Sequence, residues 1–295
     1  MMKLGLNLSF AIKRWIGGEN MARIISEELG YDRVQFTWDL VDPSWPADTR
    51  DRIAGDYAQS FRKAGIAIES SFGGLASYTY NHFLAPTRDL RDLGKLHLRN
   101  AIDMTAAMEV KAAGMPLGSY SAADALDRQR REEIYREALE AIVELSRHAK
   151  SRGLETLLIE PVPLSTEFPS SAEDALRLMR DLDGATDIPV RLLVDWGHAM
   201  FPALFGDDAN MDHWQKTCGE FIHSYHIQQT DGLLDRHWNF TRKGIVTPEL
   251  LAEFWNRHGL TDQTYFLEII YPFEQPDDEV LSDMKNATRL LRAVQ

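Results

Sequence analysis

The sequence contains almost no cysteine and no long apolar run. Cys218 is the single cysteine among 295 residues, which excludes an intramolecular disulfide and fits a reducing compartment. No stretch of 18 apolar residues occurs, and the first residues, Met-Met-Lys-Leu-Gly-Leu-Asn-Leu, are too short and too soon polar for a secretory signal. We therefore expect a cytoplasmic protein that neither spans nor binds a membrane.

Positive charge is also scarce. There are 32 basic and 45 acidic residues, which gives a formal net charge of −13. Because an acidic surface repels a phosphate backbone, the balance predicts no nucleic-acid partner. It remains compatible with a local basic pocket for one small phosphate.

A glycine-rich turn is missing after the first predicted strand. Short apolar strands alternate with amphipathic helices in about eight units, a pattern typical of parallel βαβ structure. A doubly wound open sheet would usually have a glycine fingerprint after its first strand, and Asn7–Phe10 contains no glycine. The pattern predicts an α/β protein with a closed (β/α)8 TIM barrel, formed as one domain over residues 1–295.

Four successive apolar runs in the second half end on a residue that can bind a metal. These residues are Glu160, Asp195, His226 and Glu268. A single carboxylate in such a position is more often a helix cap or a member of an ion pair. Because the carboxyl ends of barrel strands meet at one face, four in a row indicate one shared divalent ion. Three carboxylates and one imidazole favour Mg²⁺, Mn²⁺ or Co²⁺ over a structural zinc.

Two further polar residues lie close to these strand ends. His198 follows Asp195 by three residues, and we interpret it as a substrate contact or a support for the metal ligands, with a helix-cap histidine as the alternative. Gln228 lies two residues after His226, on the same strand face. It is a candidate to bind substrate, or to replace His226 on the metal if His226 is only a buried core histidine.

Four motifs resemble the xylose isomerase-like barrel family. The family contains sugar and sugar-phosphate isomerases, ketose 3-epimerases and the DNA-repair endonuclease IV. The motifs cover the C-terminal half and are Leu158-Ile159-Glu160-Pro161, Val194-Asp195-Trp196-Gly197-His198, Tyr225-His226-Ile227-Gln228 and Leu267-Glu268-Ile269.

The resemblance implies two alternative chemistries. Endonuclease IV holds three zinc ions and has additional histidines after its second and third strands; the corresponding loops here, at Phe72–Gly74 and Gly114–Pro116, have none. Its strand-seven Asp-x-His pair is nevertheless matched by Asp235 and His237. With two histidines missing, a repair nuclease is the less favoured alternative.

The ketose 3-epimerase branch implies defined roles for the four strand-end residues. All four would hold one metal, and Glu160 and Glu268 would also be catalytic, on opposite faces of the substrate carbon. One glutamate would remove the proton next to the carbonyl, the metal would stabilise the resulting enediolate, and the other glutamate would return a proton. Return to the neighbouring carbon would instead make an aldose–ketose isomerase.

Basic and aromatic side chains follow the first and seventh strands. They indicate a small sugar or sugar-phosphate substrate, although solvated loop charges are the alternative. The candidate substrate-binding residues are His198, Gln228, Asp235, Arg236, His237, Arg242, Lys13, Arg14 and Trp15.

Two passages resemble the tetrulose-phosphate epimerases of erythritol and threitol catabolism. These passages are Asn7–Trp15 and His226–Gly232. The resemblance implies conversion of L-erythrulose 1-phosphate to D-erythrulose 4-phosphate by inversion at carbon 3. A non-phosphorylated ketose 3-epimerase and a non-catalytic sugar sensor are alternatives, and the residues allow a homodimer without predicting one.

Overall fold

The computed structural model describes residues 2–294, and within this range eight parallel strands close into one barrel. Their order around the barrel is their order in the chain, β1 to β8, with β8 paired to β1. The predicted (β/α)8 barrel is confirmed. The strands are β1 (Lys3–Asn7), β2 (Arg33–Thr37), β3 (Ala67–Phe72), β4 (Ala112–Met115), β5 (Thr156–Ile159), β6 (Val190–Asp195), β7 (Ile222–Ile227) and β8 (Thr264–Leu267).

Helices between the strands surround the barrel. Those of the described chain are α1 (Gly18–Arg23), α2 (Ala47–Lys63), α3 (Arg88–Ala107), α4 (Ala122–Leu126), α5 (Arg128–Ser151), α6 (Ala172–Leu182), α7 (Trp196–Ala199), α8 (Pro202–Phe205), α9 (Met211–Cys218), α10 (Pro248–His258) and α11 (Asp277–Ala293). None of them is long and apolar enough to cross a membrane.

Short polar side chains fix where several helices begin. Thr87, Ser171 and Thr247 each accept a hydrogen bond from the backbone N–H three residues later. Asp127 accepts from two backbone N–H groups and starts α5 four residues before the position expected from the apolar pattern. Pro248 occupies the first turn of α10, as predicted, because that turn needs no donor from it.

The main apolar core lies where the strands face the helices. A second, smaller cluster joins Phe72, Ala112, Leu158 and Leu193. The Phe72 ring stands edge-on to His226, with ring centroids 5.7 Å apart. This apolar cluster therefore borders the polar residues at the carboxyl ends of the strands.

Candidate active site

The four predicted metal ligands come together at the carboxyl ends of β5 to β8. Glu160 and Glu268 follow the last residues of β5 and β8, and Asp195 ends β6. With His226, the next-to-last residue of β7, they offer ligand atoms that all lie within 4.8 Å of one another. All four side chains are buried. The group could hold one metal ion.

Two carboxylate oxygens in this group lack a donor. Asp195 Oδ1 accepts from the His198 backbone N–H at 3.0 Å and from Gln228 Nε2 at 2.9 Å. Asp195 Oδ2 and Glu268 Oε2 have no hydrogen-bond partner among the described residues; Glu268 Oε2 lies 2.8 Å from His226 Nδ1, but without hydrogen-bond geometry. Because a buried unpaired carboxylate oxygen is costly, these atoms fit a bound cation.

A chain of amides determines which nitrogen of His226 is available. The Ser9 backbone N–H donates to Asn7 Oδ1 at 2.8 Å, so the Asn7 amide nitrogen points to Gln35 Oε1, also at 2.8 Å. Gln35 Oε1 lies 2.5 Å from His226 Nε2, which must therefore carry the hydrogen. In the neutral ring, Nδ1 then presents a lone pair to Glu160 and Glu268, as a metal ligand requires.

The two glutamates also give the group its charge. Glu160 Oε1 lies 3.2 Å from His226 Nδ1. Burial alone would lower the pKa of His226, but the Glu268 and Glu160 carboxylates raise it to about 10. The group therefore attracts positive charge strongly, which favours a divalent cation.

A second group lies beside the first and contains His198, Asp235 and His237. Their ligand atoms also lie within 4.8 Å of one another. His198 Nδ1 donates to the Pro161 carbonyl oxygen at 3.1 Å, which leaves Nε2 facing Asp235 Oδ2 at 3.2 Å. His237 Nε2 lies 3.1 Å from the same oxygen. The group could hold a metal or the hydroxyl groups of a small substrate.

Gln228 connects the two groups. Its Nε2 donates to Asp195 Oδ1 at 2.9 Å and to Asp235 Oδ1 at 2.8 Å. Its Oε1 accepts a short hydrogen bond from the backbone N–H of His237. The idea that Gln228 replaces His226 on a metal is therefore corrected, because its amide oxygen is already occupied.

Arg14 is not placed to bind a substrate. Its guanidinium donates to the carbonyl oxygens of Gln275 at 2.7 Å and Pro272 at 2.8 Å, and pairs with Asp277 at 2.5 Å. Its side chain is only 5% exposed. We therefore correct its predicted role: Arg14 holds the loop after β8. Trp15 packs on Phe10, with ring centroids 5.9 Å apart.

Two of the other predicted cations, Arg236 and Arg242, line a cavity beside the site, and Lys13 lies close to it. The cavity has a volume of about 490 Å³, and Arg236, Arg242, Trp238 and Phe273 are among its lining residues. Both guanidinium groups stack on Trp238, at 5.0 and 5.3 Å from the ring centroid. Lys13 Nζ lies 4.5 Å from the Phe273 ring centroid. Arg236 also forms an ion pair with Asp231 at 2.8 Å, whereas Arg242 forms none among the described residues. Arg242 is therefore the arginine more available to a bound anion.

Four residues of the site were not predicted from the sequence. Asn7 and Gln35 are polar residues in buried strands, which is a detectable signal because such positions need partners. Burial raises the pKa of Glu167, in the loop after β5, to about 7. Tyr78 donates a short hydrogen bond to Glu160 Oε2 from a long loop that gives no such signal.

Comparison with protein families assigns this fold and site to a known group. The family model described as xylose isomerase-like TIM barrel matches residues 25–288. The chain therefore belongs to the xylose isomerase-like TIM-barrel family, as the motifs at the strand ends predicted.

Individual relatives agree with this assignment. D-erythrulose 1-phosphate 3-epimerase of Brucella abortus (strain 2308) is 26% identical over 284 residues, which cover 94% of this chain and 91% of the relative. A crystal structure from Rhodospirillum rubrum, provisionally described as a xylose isomerase, is 61% identical, with a TM-score of 0.99 and full coverage of both chains. D-psicose 3-epimerase of Clostridium cellulolyticum H10, crystallised with D-tagatose, has a TM-score of 0.74 at 14% identity over 99% of each chain, which shows the fold. The prediction of an isomerase-class enzyme is confirmed.

Proposed function

We propose that the protein is a metal-dependent 3-epimerase of a phosphorylated ketose. The observation that carries the proposal is that Glu160 and Glu268, two buried glutamates that follow β5 and β8, both reach His226 Nδ1, at 3.2 and 2.8 Å. Two carboxylates beside one cation site are what inversion through a deprotonated carbon needs. The match to an epimerase of a phosphorylated tetrulose supports this choice.

The substrate that we propose is erythrulose 1-phosphate. Inversion at carbon 3 leaves the phosphate on its own carbon, so L-erythrulose 1-phosphate would give D-erythrulose 1-phosphate. The D-erythrulose 4-phosphate expected from the sequence is corrected on this ground. The name of the Brucella abortus relative agrees with a phosphate at carbon 1.

The two glutamates exchange roles with the direction of the reaction. One removes the proton from carbon 3, and the protonated form of the other returns a proton from the opposite face. A metal bound by Glu160, Asp195, His226 and Glu268 would polarise the neighbouring carbonyl. Asp195 helps to hold the metal, because its Oδ1 accepts the donors from His198 and Gln228 while its Oδ2 has no hydrogen-bond partner in the described chain.

The remaining polar residues hold the substrate. His198, Asp235 and His237 are suited to the hydroxyl groups, since each histidine places a ring nitrogen within 3.2 Å of the Asp235 carboxylate. Arg242 and Lys13 are suited to the phosphate: Arg242 lines the cavity beside the site, Lys13 lies over Phe273, which also lines it, and neither forms an ion pair among residues 2–294. The proposed metal is Mg²⁺ or Mn²⁺, with Co²⁺ as a third choice, given three oxygen ligands and one nitrogen.

Solvent deuterium exchange tests this proposal. With Mn²⁺ or Mg²⁺ added, the enzyme should incorporate deuterium at carbon 3 of erythrulose 1-phosphate and invert that carbon. Glu160→Gln and Glu268→Gln should each abolish inversion. Glu155→Gln is the matched control, because this exposed residue lies at the other end of β5. Retained inversion of carbon 3 in both active-site variants would overturn the proposal. A panel of free ketoses and aldoses separates the free-ketose epimerase and the aldose–ketose isomerase.

A repair nuclease is the second candidate, favoured by the group of His198, Asp235 and His237. That hypothesis needs more than one metal ion per chain, and cleavage of DNA at an abasic site. Metal analysis of the purified protein should give one ion per chain for the epimerase. Two or more ions together with cleavage would favour the nuclease.

The predictions of a cytoplasmic location and of one domain over residues 1–295 stay predictions; Met1 and Gln295 lie outside the described residues.

A further inference from the structure

A short 3₁₀ helix after β3 carries a side chain that reaches the metal-binding group. It comprises Leu75–Thr79, and we call it the strap. Asp39, in the loop after β2, accepts from the backbone N–H groups of Leu75 at 2.6 Å and Ala76 at 3.2 Å. His82 Nε2 donates to the carbonyl oxygen of Ser77, the middle residue of the strap, at 2.7 Å. Side chains from outside the strap therefore hold its first two residues and its middle residue.

Gly74 shows how closely the strap approaches its anchor. A Cβ atom at this position would lie 2.0 Å from Asp39 Oδ2 and 2.3 Å from Thr37 Oγ1. A larger residue fits there only if the strap or these two side chains move. Glycine at this position therefore allows the strap to lie close to the Asp39 side chain that holds it.

Tyr78 extends from the strap to one oxygen of Glu160. Its hydroxyl donates a short hydrogen bond to Glu160 Oε2. The other oxygen, Oε1, lies 3.2 Å from His226 Nδ1 and 3.6 Å from His198 Nδ1. Each oxygen of the carboxylate therefore has a separate partner, and rotation of the carboxylate would break both contacts at once.

We infer that Tyr78 is a positioning residue for Glu160, holding its carboxylate at one fixed rotation between the metal-binding group and the substrate. This inference rests on the proposed function. Glu268 has no such partner: its Oε2 has no hydrogen-bond partner in the described chain, and Ser9 Oγ reaches its Oε1 only at 3.4 Å. The two glutamates are therefore supported unequally, and loss of the tyrosine hydroxyl should impair one of the two proton transfers.

The unequal support predicts different behaviour for the two epimers. In Tyr78→Phe, proton transfer to and from Glu160 slows while transfer at Glu268 continues. Starting from the epimer that Glu160 deprotonates, the primary deuterium isotope effect at carbon 3 should rise. Starting from the other epimer, the deprotonated sugar forms at Glu268 and waits for Glu160. Solvent deuterium should then accumulate in unreacted substrate faster than the product forms.

The experiment compares Tyr78→Phe with Tyr80→Phe in the metal-loaded enzyme. Tyr80, two residues away, is 66% exposed, and its substitution should change nothing. Tyr78→Phe should lower kcat about 10- to 100-fold, the usual cost of a misplaced catalytic group. Its KM and metal content should stay within about twofold of the parent values, and its melting temperature within a few degrees. These three readouts separate positioning from a loss of folding or of metal.

The outcomes decide both proposals separately. An unchanged kcat, or isotope effects that change equally for both epimers, would overturn the role of Tyr78 while leaving the epimerase intact. Inactivity of the parent enzyme towards every ketose phosphate would instead reject the proposed function. Gly74→Ala gives a second test, since displacing the strap should produce the same difference between the epimers without altering the tyrosine.

Discussion

Gln35 Oε1 accepts a hydrogen bond of 2.5 Å from His226 Nε2, across the barrel from β2 to β7. Gln35 cannot offer its amide nitrogen instead, because Nε2 donates to Ser70 Oγ at 2.9 Å and Asn7 donates to the same Oε1. A residue from the N-terminal half of the chain thus orients His226, a predicted metal-binding residue in the C-terminal half.

Replacing Gln35 with leucine should weaken metal binding. The variant loses the acceptor that keeps the hydrogen on His226 Nε2, and loss of such a supporting contact typically reduces affinity 10- to 100-fold. Isothermal titration with Mn²⁺ measures the change. Ser70→Ala removes only the acceptor of Gln35 Nε2 and leaves the contact of Gln35 Oε1 with His226, so it should change the affinity for Mn²⁺ much less. Equal affinity of the parent protein and Gln35→Leu for Mn²⁺ would show that Gln35 does not orient His226.

The strand ends could be predicted from the sequence because apolar runs that stop at a charged residue are a local signal. Glu160, Asp195, His226 and Glu268 were found in this way, and parallel topology then places them together. The eight strand–helix units were found from the same alternation.

Other parts of the site depend on long-range contacts. Tyr78 reaches Glu160 across 82 positions of the chain, and its loop contains no periodicity. Arg14 was assigned to the substrate because it follows β1 beside Lys13, yet its partners lie about 260 positions away in the loop after β8. A basic residue after a strand has the same local pattern whether it binds a ligand or a distant carbonyl group.

Arg14 and Lys13 should therefore behave in opposite ways when each is changed to glutamine. Arg14→Gln removes a buried guanidinium, leaves the Gln275 carbonyl oxygen without its donor and breaks the ion pair with Asp277, which should lower the free energy of unfolding by about 2–4 kcal/mol. Lys13→Gln changes an exposed side chain and should alter stability by less than about 0.5 kcal/mol. Urea denaturation of both variants checks this pair. Similar stability losses in the two would contradict the assignment.

Arg242→Gln should raise KM for a phosphorylated ketose while leaving kcat nearly unchanged. A charged hydrogen bond to phosphate contributes about 1.5–3 kcal/mol, which corresponds to a rise of roughly 10- to 100-fold. KM for the same ketose without phosphate should not change. Arg289→Gln, on the exposed face of α11, serves as the control. An equal rise in KM for the phosphorylated and the free ketose would show that Arg242 does not bind the phosphate.

His82 should make stability depend on pH between about 4 and 6.5. Burial lowers its pKa from 6.5 to about 4, so the folded protein holds this ring neutral while the unfolded chain binds a proton. Its contribution is fully present above pH 6.5 and is lost as the pH falls through 4, with an upper limit of about 3 kcal/mol.

His82→Gln keeps a donor for the Ser77 carbonyl oxygen but cannot titrate. Urea unfolding of the metal-free protein at pH 4.5 and 7.5 should therefore show a smaller difference in the variant than in the parent. His97, stacked on His82 at 5.5 Å, is present in both proteins, and its own titration largely cancels in the comparison. Identical pH dependence in the two proteins would mean that His82 accepts a proton without unfolding the strap that it anchors.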